Sequence, residues 1–142
     1  MIIHTASEGI TLARKLENDS AEFYETLAQR YAKDSEGFLA FAKENKKNIV
    51  QIERAYYGVI SDAIEGCFAF NIDTDDYALK IDIHDGADYA DVLAQAIKLE
   101  ETIIKFYTDA AEQSKSLMAD VPRAFLLVAK KRAGRISKIK EL

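Results

Sequence analysis

The chain has 142 residues, 49% of them hydrophobic and 30% charged, which is the length and make-up of one compact domain. One proline and six glycines against abundant Ala, Leu, Glu and Lys exclude a turn-rich all-β fold. A net charge of -5 argues against nucleic acid as a partner, a single cysteine excludes an internal disulfide, and no run approaches the roughly 20 apolar residues of a membrane span.

The opening residues 1–19 lack the basic end and long apolar stretch of a signal peptide, so a cytoplasmic location is expected. Apolar positions Ala13, Leu16, Phe23, Tyr24, Leu27 and Tyr31 recur at helical spacing and predict a first helix over about 7–32. Phe38, Phe41, Ala42, Ile49, Ile52, Tyr56 and Val59 predict a second over about 35–60. The few residues around Lys33 and Asp34 leave room only for an antiparallel helical hairpin.

Residues 61–89 are chemically distinct. Seven Asp, one Glu and one Lys give this stretch a charge of -7, which leaves +2 for the remainder. Phe68, Phe70 and Ile72, then Leu79, Ile81 and Ile83, alternate with small or polar residues, which predicts a small β-hairpin turning at Thr74-Asp75-Asp76. The acidic run at Asp73 does not make a calcium loop of the EF-hand type, because Ala78 and His84 stand where Gly and Glu are required. Cys67, beside Phe68, reads as a small buried hydrophobe. The crossover at 61–88 is expected to be ordered but less protected than the helices, since it couples acidic self-repulsion to enough apolar surface to pack.

Leu93, Ala96, Leu99, Ile103, Phe106, Tyr107 and Ala110 predict a third helix over about 89–114. The fourth opens at Asp120-Val121-Pro122, a cap followed by the only proline, and runs over 121–142 through Phe125, Val128, Ala129, Ile136 and Ile139. Its basic residues Lys130, Lys131, Arg132, Arg135, Lys138 and Lys140 could mark an anion-binding surface. The preferred reading is complementation of the helix dipole.

The two halves repeat one another. Leu16-Glu17 and Phe23-Tyr24 match Leu99-Glu100 and Phe106-Tyr107 with five residues between in both cases. Phe38-Leu39, Ala42-Lys43, Ile49 and Ile52 likewise match Phe125-Leu126, Ala129-Lys130, Ile136 and Ile139. Two helical hairpins joined by a long crossover are the layout of a four-helix bundle of the ferritin-like type.

With Glu followed by Phe-Tyr in the first helix of each half, the chain resembles the rubrerythrin branch of the ferritin-like superfamily over all but the acidic crossover. The resemblance implies an all-α four-helix bundle spanning 1–142. It also implies a di-iron site in which the first and third helices each give a Glu and the second and fourth each give Glu-x-x-His. The lone Glu positions fall on Glu17 and Glu100. The Glu-x-x-His positions fall on Asn45 and Asn48 and on Arg132 and Arg135, so four ligands of six are replaced. His4 and His84 lie outside the helices and cannot repair the set. A carboxamide is a weak neutral ligand and a guanidinium offers no lone pair. The expectation is therefore a metal-free, catalytically silent protein with a structural or interaction role, in which Glu17, Glu100, Arg132 and Arg135 form an ionic layer completed by Asn45 and Asn48.

The alternative is an oxidoreductase holding iron or manganese through Glu17, Glu100 and Asn45 or a recruited carboxylate. A third reading has Arg132 and Arg135 gripping a carboxylate or phosphate. All six residues share helical stripes with apolar neighbours, which predicts that most face inward; Asn48 and Arg135 are the two whose position leaves the alternative of reaching out from a stripe edge. Glu44 and Glu53 are expected to be solvated. Tyr24 and Tyr107, which the resemblance places near the metal site, read as core aromatics with hydroxyls satisfied by polar neighbours. An unidentified protein partner fits the interaction role, and the resemblance implies a possible homodimer.

Overall fold

A computed structural model describes residues 1–59, 66–116 and 118–142. Among these residues it is mostly helical, with four long helices and one two-stranded sheet. Strand β1, Ile2–Thr5, leads directly into α1, Ala6–Arg30. A short 3-10 turn at Ala32–Asp34 precedes α2, Ser35–Tyr57. After the crossover, which contains β2, Phe68–Asp73, and a 3-10 turn at Thr74–Tyr77, come α3, Tyr89–Ser114, and α4, Val121–Lys140. The predicted end of the second helix at Ile60 and the first crossover residues 61–65 lie outside the described residues.

The two hairpins are antiparallel, as their side-chain pairs show. Across α1 and α2 Arg14 meets Glu53 and Glu25 meets Lys46; across α3 and α4 Glu100 meets Arg132 and Tyr107 meets Phe125. The repeat survives in the packing. Tyr24 stacks on Phe38 at 6.2 Å between ring centroids, and the equivalent Tyr107 lies 5.6 Å from Phe125. The buried apolar residues form one cluster running through all four helices and the sheet.

The sheet corrects two expectations. Phe68–Asp73 is a strand, but its partner is β1, which lies ahead of the first predicted helix, with Ile3 opposite Ile72 and Thr5 opposite Phe68. Residues 79–83 form no strand. The physical reason is visible at both ends of the turn. Asp73 caps it by accepting from the Asp75 amide at 3.0 Å, and Tyr77 anchors it to α3 with its hydroxyl 2.5 Å from Asp109. Farther along, the Gln95 side chain bonds both the amide and the carbonyl of Asp82, each at 2.8 Å. A carboxamide thus satisfies the backbone that a strand partner would have satisfied. The crossover lies along α1 and α3, with Tyr31 donating to the Ala87 carbonyl at 3.2 Å.

Two local features fix how the sheet meets α1. Thr5 ends β1 and caps the helix: its hydroxyl accepts from the Glu8 amide at 3.1 Å, while the Glu8 carboxylate accepts from the Thr5 amide at 3.0 Å. These backbone bonds hold the Glu8 carboxyl below its ordinary value. Where β2 crosses α1, the Phe70 ring rests on Gly9 so closely that a β-carbon there would stand 2.2 Å from a ring atom. Cys67 is half-buried at the edge of the core.

Candidate functional site

The middle of the bundle contains polar side chains with no access to water. Glu17, Ser20, Asn45, Asn48, Glu100 and Arg132 are each 0% exposed, and Arg135 is 2% exposed. Three of the helices bring them inward in pairs, and α3 adds Glu100 alone. Glu17 and Ser20, Asn45 and Asn48, and Arg132 and Arg135 are three residues apart, so each pair lies on one face and projects at one level.

Arg132 is the centre. One terminal nitrogen, Nη1, lies 2.7 Å from both Glu100 carboxylate oxygens, and the other, Nη2, donates to Glu17 and to the Asn45 carbonyl at 3.2 Å. Asn48 donates to the second Glu17 oxygen at 2.8 Å, and Asn45 donates to the Ser20 hydroxyl at 2.9 Å. Arg135 runs alongside: Nη1 donates to Asn45 at 2.8 Å, and Nη2 reaches Glu44 at 2.7 Å and the Phe41 carbonyl at 3.4 Å. Its guanidinium also lies over the Phe41 and Tyr24 rings, at 4.9 and 5.4 Å.

Burial works against the charge on Arg132, but Glu100 and Glu17 outweigh it and hold the guanidinium protonated well beyond its ordinary range. The phenols move oppositely. Burial, then the charge of Glu100, raises Tyr24 well above 10.0; burial, then the charge of Glu17, does the same to Tyr107. Neither is a ready proton donor near neutrality.

The repeat is broken at these tyrosines. Tyr24 donates to Glu100 at 2.8 Å, whereas the Tyr107 hydroxyl, although beside Glu17, has no hydrogen-bond partner among the described residues. Glu17 is already taken, one oxygen by Asn48 and the other by Arg132. The expectation of a satisfied hydroxyl therefore holds for Tyr24 and is corrected for Tyr107. The Nε atoms of both arginines are likewise buried without partners.

Other expectations change too. Asn48 and Arg135 do not reach out from a stripe edge; both are buried. Glu44 and Glu53 are not simply solvated: Glu44 closes the Arg135 end of the network, and Glu53 pairs with Arg14 at 2.6 Å. Ser20 and Glu44 were missed as members of the layer. Ser20 carried a signal as the one serine in an apolar stripe, and Glu44 as the carboxylate next to Asn45. The arginines are not open to a carboxylate or phosphate from outside, because the chain's own carboxylates hold both. Only Lys138 and Lys140 of the α4 cations lie in the last helical turn, where the dipole is felt, so the rest are not explained by it.

Comparison with known proteins returns no match among family models, curated proteins or solved structures.

Proposed function

We propose that this chain is a ferritin-like bundle in which a buried ionic layer stands in the place of a di-iron pair, and that its role is structural or interactive rather than catalytic. The helix directions support the first part. Tyr24 with Glu100 and Tyr31 with Tyr89 set α1 antiparallel to α3. Phe41 with Arg135 and Gln51 with Lys131 do the same for α2 and α4. Together with the two hairpins these pairs support the order up, down, down, up.

The observation that carries the second part is the Arg132 guanidinium, held between the Glu17 and Glu100 carboxylates. A metal pair would need those carboxylates as anionic ligands, and here both are held by a fixed cation that offers no lone pair. Asn45 and Asn48 are neutral, and their carbonyl oxygens already accept from Arg132, Arg135 and Lys131. The residues present do not fit an iron or manganese centre.

Elemental analysis after expression in metal-rich medium tests this. Trace metal that chelation removes, and a melting temperature unmoved by chelator or iron, is the expected result. Near-stoichiometric iron that survives chelation, with an oxo-bridge absorbance, rejects it in favour of the oxidoreductase. A homodimer through a bundle face belongs to the same reading, and light scattering that gives a monomer at high concentration removes it.

A further inference from the structure

Among the described residues, the crossover covers the α1 and α3 side of the bundle and not the opposite side, between α2 and α4. There an open groove of about 840 Å³ runs between the two helices. Its walls are basic: Lys43, Lys46, Lys47 and Arg54 come from α2 and Arg123 from α4, against the single carboxylate of Asp120. Helix α4 contains seven cations and no acidic residue. Lys46 pairs with Glu25 at 3.7 Å, but Lys43, Lys47, Arg54 and Arg123 enter no ion pair among the described residues.

The same groove exposes apolar side chains. Val50 is 52% exposed and Leu127 45% exposed, and Leu126 beside them is 51% exposed. In a chain with a net charge of -5 this is a concentrated basic surface, and the apolar residues along it require a cover that bare counterions do not supply.

We propose that the α2 and α4 groove docks an acidic amphipathic helix from a partner protein, its apolar residues laid over Val50 and Leu127 and its carboxylates over the flanking lysines and arginines. Shape favours a helix over a membrane, since a trench between two helices admits a third whereas a bilayer requires apolar side chains on a projecting surface. From Lys43 to Arg54 the trench is about 16 Å long at the rise of an α-helix, enough for about three turns. A second copy of this chain does not supply the occupant. Its α1 and α3 carry no exposed large apolar side chain, and its acidic segment, although it exposes Phe68 and Ile81, is strand, 3-10 turn and coil rather than helix among the described residues. The inference does not depend on the metal-free reading, because no residue of the ionic layer lines the groove.

The test is fluorescence polarisation of the full chain with a panel of labelled synthetic helices that carry leucines at three- and four-residue spacing and glutamates between. Saturable binding at low and moderate salt is expected. Reversing charge with Lys47→Glu and Arg54→Glu should weaken it by about tenfold or more, since contacts across an interface fix both attraction and register. Val50→Ser with Leu127→Ser should weaken it comparably, while Lys15→Glu, on α1, leaves it unchanged. All these side chains are exposed, and an unchanged melting temperature shows that each variant is folded. The proposal is overturned if no helix of the panel binds, if a glutamate peptide without leucines binds as tightly, or if neither pair of variants weakens binding. Capture by phosphatidylserine vesicles in place of the helices, or self-association abolished by Lys47→Glu, overturns it in favour of a membrane or a second copy.

Discussion

Arg132 holds Glu100 through one terminal nitrogen and Glu17 through the other, so its loss leaves Glu17 buried without a counter-charge and Glu100 with only Arg135, at 3.5 Å. Arg132→Leu should cost about 3–5 kcal/mol in urea unfolding, and Glu17→Ala about 3 kcal/mol. Glu100→Leu with Arg132→Leu still strands Glu17 with only Asn48, so the triple change of Glu17, Glu100 and Arg132 to Leu should recover more stability than that double. A triple variant no better than the double would show that the three do not act as a unit. The two phenols should also part company. Tyr24→Phe removes a hydrogen bond to a carboxylate and should cost about 1.5–3 kcal/mol, whereas Tyr107→Phe removes a buried hydroxyl that has no partner and should be neutral or stabilising. Inward placement of most of the six polar residues was legible because each sits in an apolar stripe at helical spacing. Their pairing was not. Which oxygen of Glu17 meets Asn48 and which meets Arg132 depends on how four helices rotate against one another, and a sequence does not print those angles.

Sheet and helix meet at Gly9, and that contact can be probed directly. Alanine there would favour the helix by about 1 kcal/mol in isolation, yet its β-carbon would collide with Phe70. Gly9→Ala should therefore destabilise, by about 1–3 kcal/mol as overpacking does. Adding Phe70→Leu should return part of the loss; thermal unfolding that shows the pair additive would separate the two residues. The helix spans were readable within a few residues from periodicity and from the proline after Asp120. The sheet was not, because β1 is only Ile2–Thr5, too short for alternation to declare itself, and its partner stands far along the chain. A local signal did exist: Thr5 with Glu8 has the spacing of a capping box and marks where β1 must end. The apolar alternation at Leu79, Ile81 and Ile83 misled because a strand pattern also suits an extended segment resting on helices. Since Gln95 rather than a strand holds Asp82, amides of the crossover should exchange with solvent faster than those of the helix core, and equal protection would contradict this.

For the molecule as a whole the tyrosines set an alkaline limit. Tyr24 and Tyr107 ionise near 10.0 when unfolded and well above it when folded. Above pH 10 the folded state therefore binds more protons than the unfolded state, and stability falls with rising pH until the folded values are reached. Each such group gives a slope of about 1.4 kcal/mol per pH unit, and Tyr77 and Tyr89, raised as well by partial burial and by their bonds to Asp109 and Asp34, add to it, so Tyr107→Phe should lower the slope by about 1.4 kcal/mol per pH unit without halving it. An unchanged slope in that variant would place the titration elsewhere. The sheet sets a limit of another kind, in time. Ile3 pairs with Ile72, so the clasp closes only after the entire first hairpin has been gathered between its strands, and the entropy of that closure is spent before its contacts return anything. Such a clasp forms late and opens early. Ile72→Ala should then leave the refolding rate nearly unchanged and accelerate unfolding. The lifetime of the folded chain, as distinct from its stability, would rest on a few residues of β1 and β2 at one end of the bundle rather than on the charged layer at its middle.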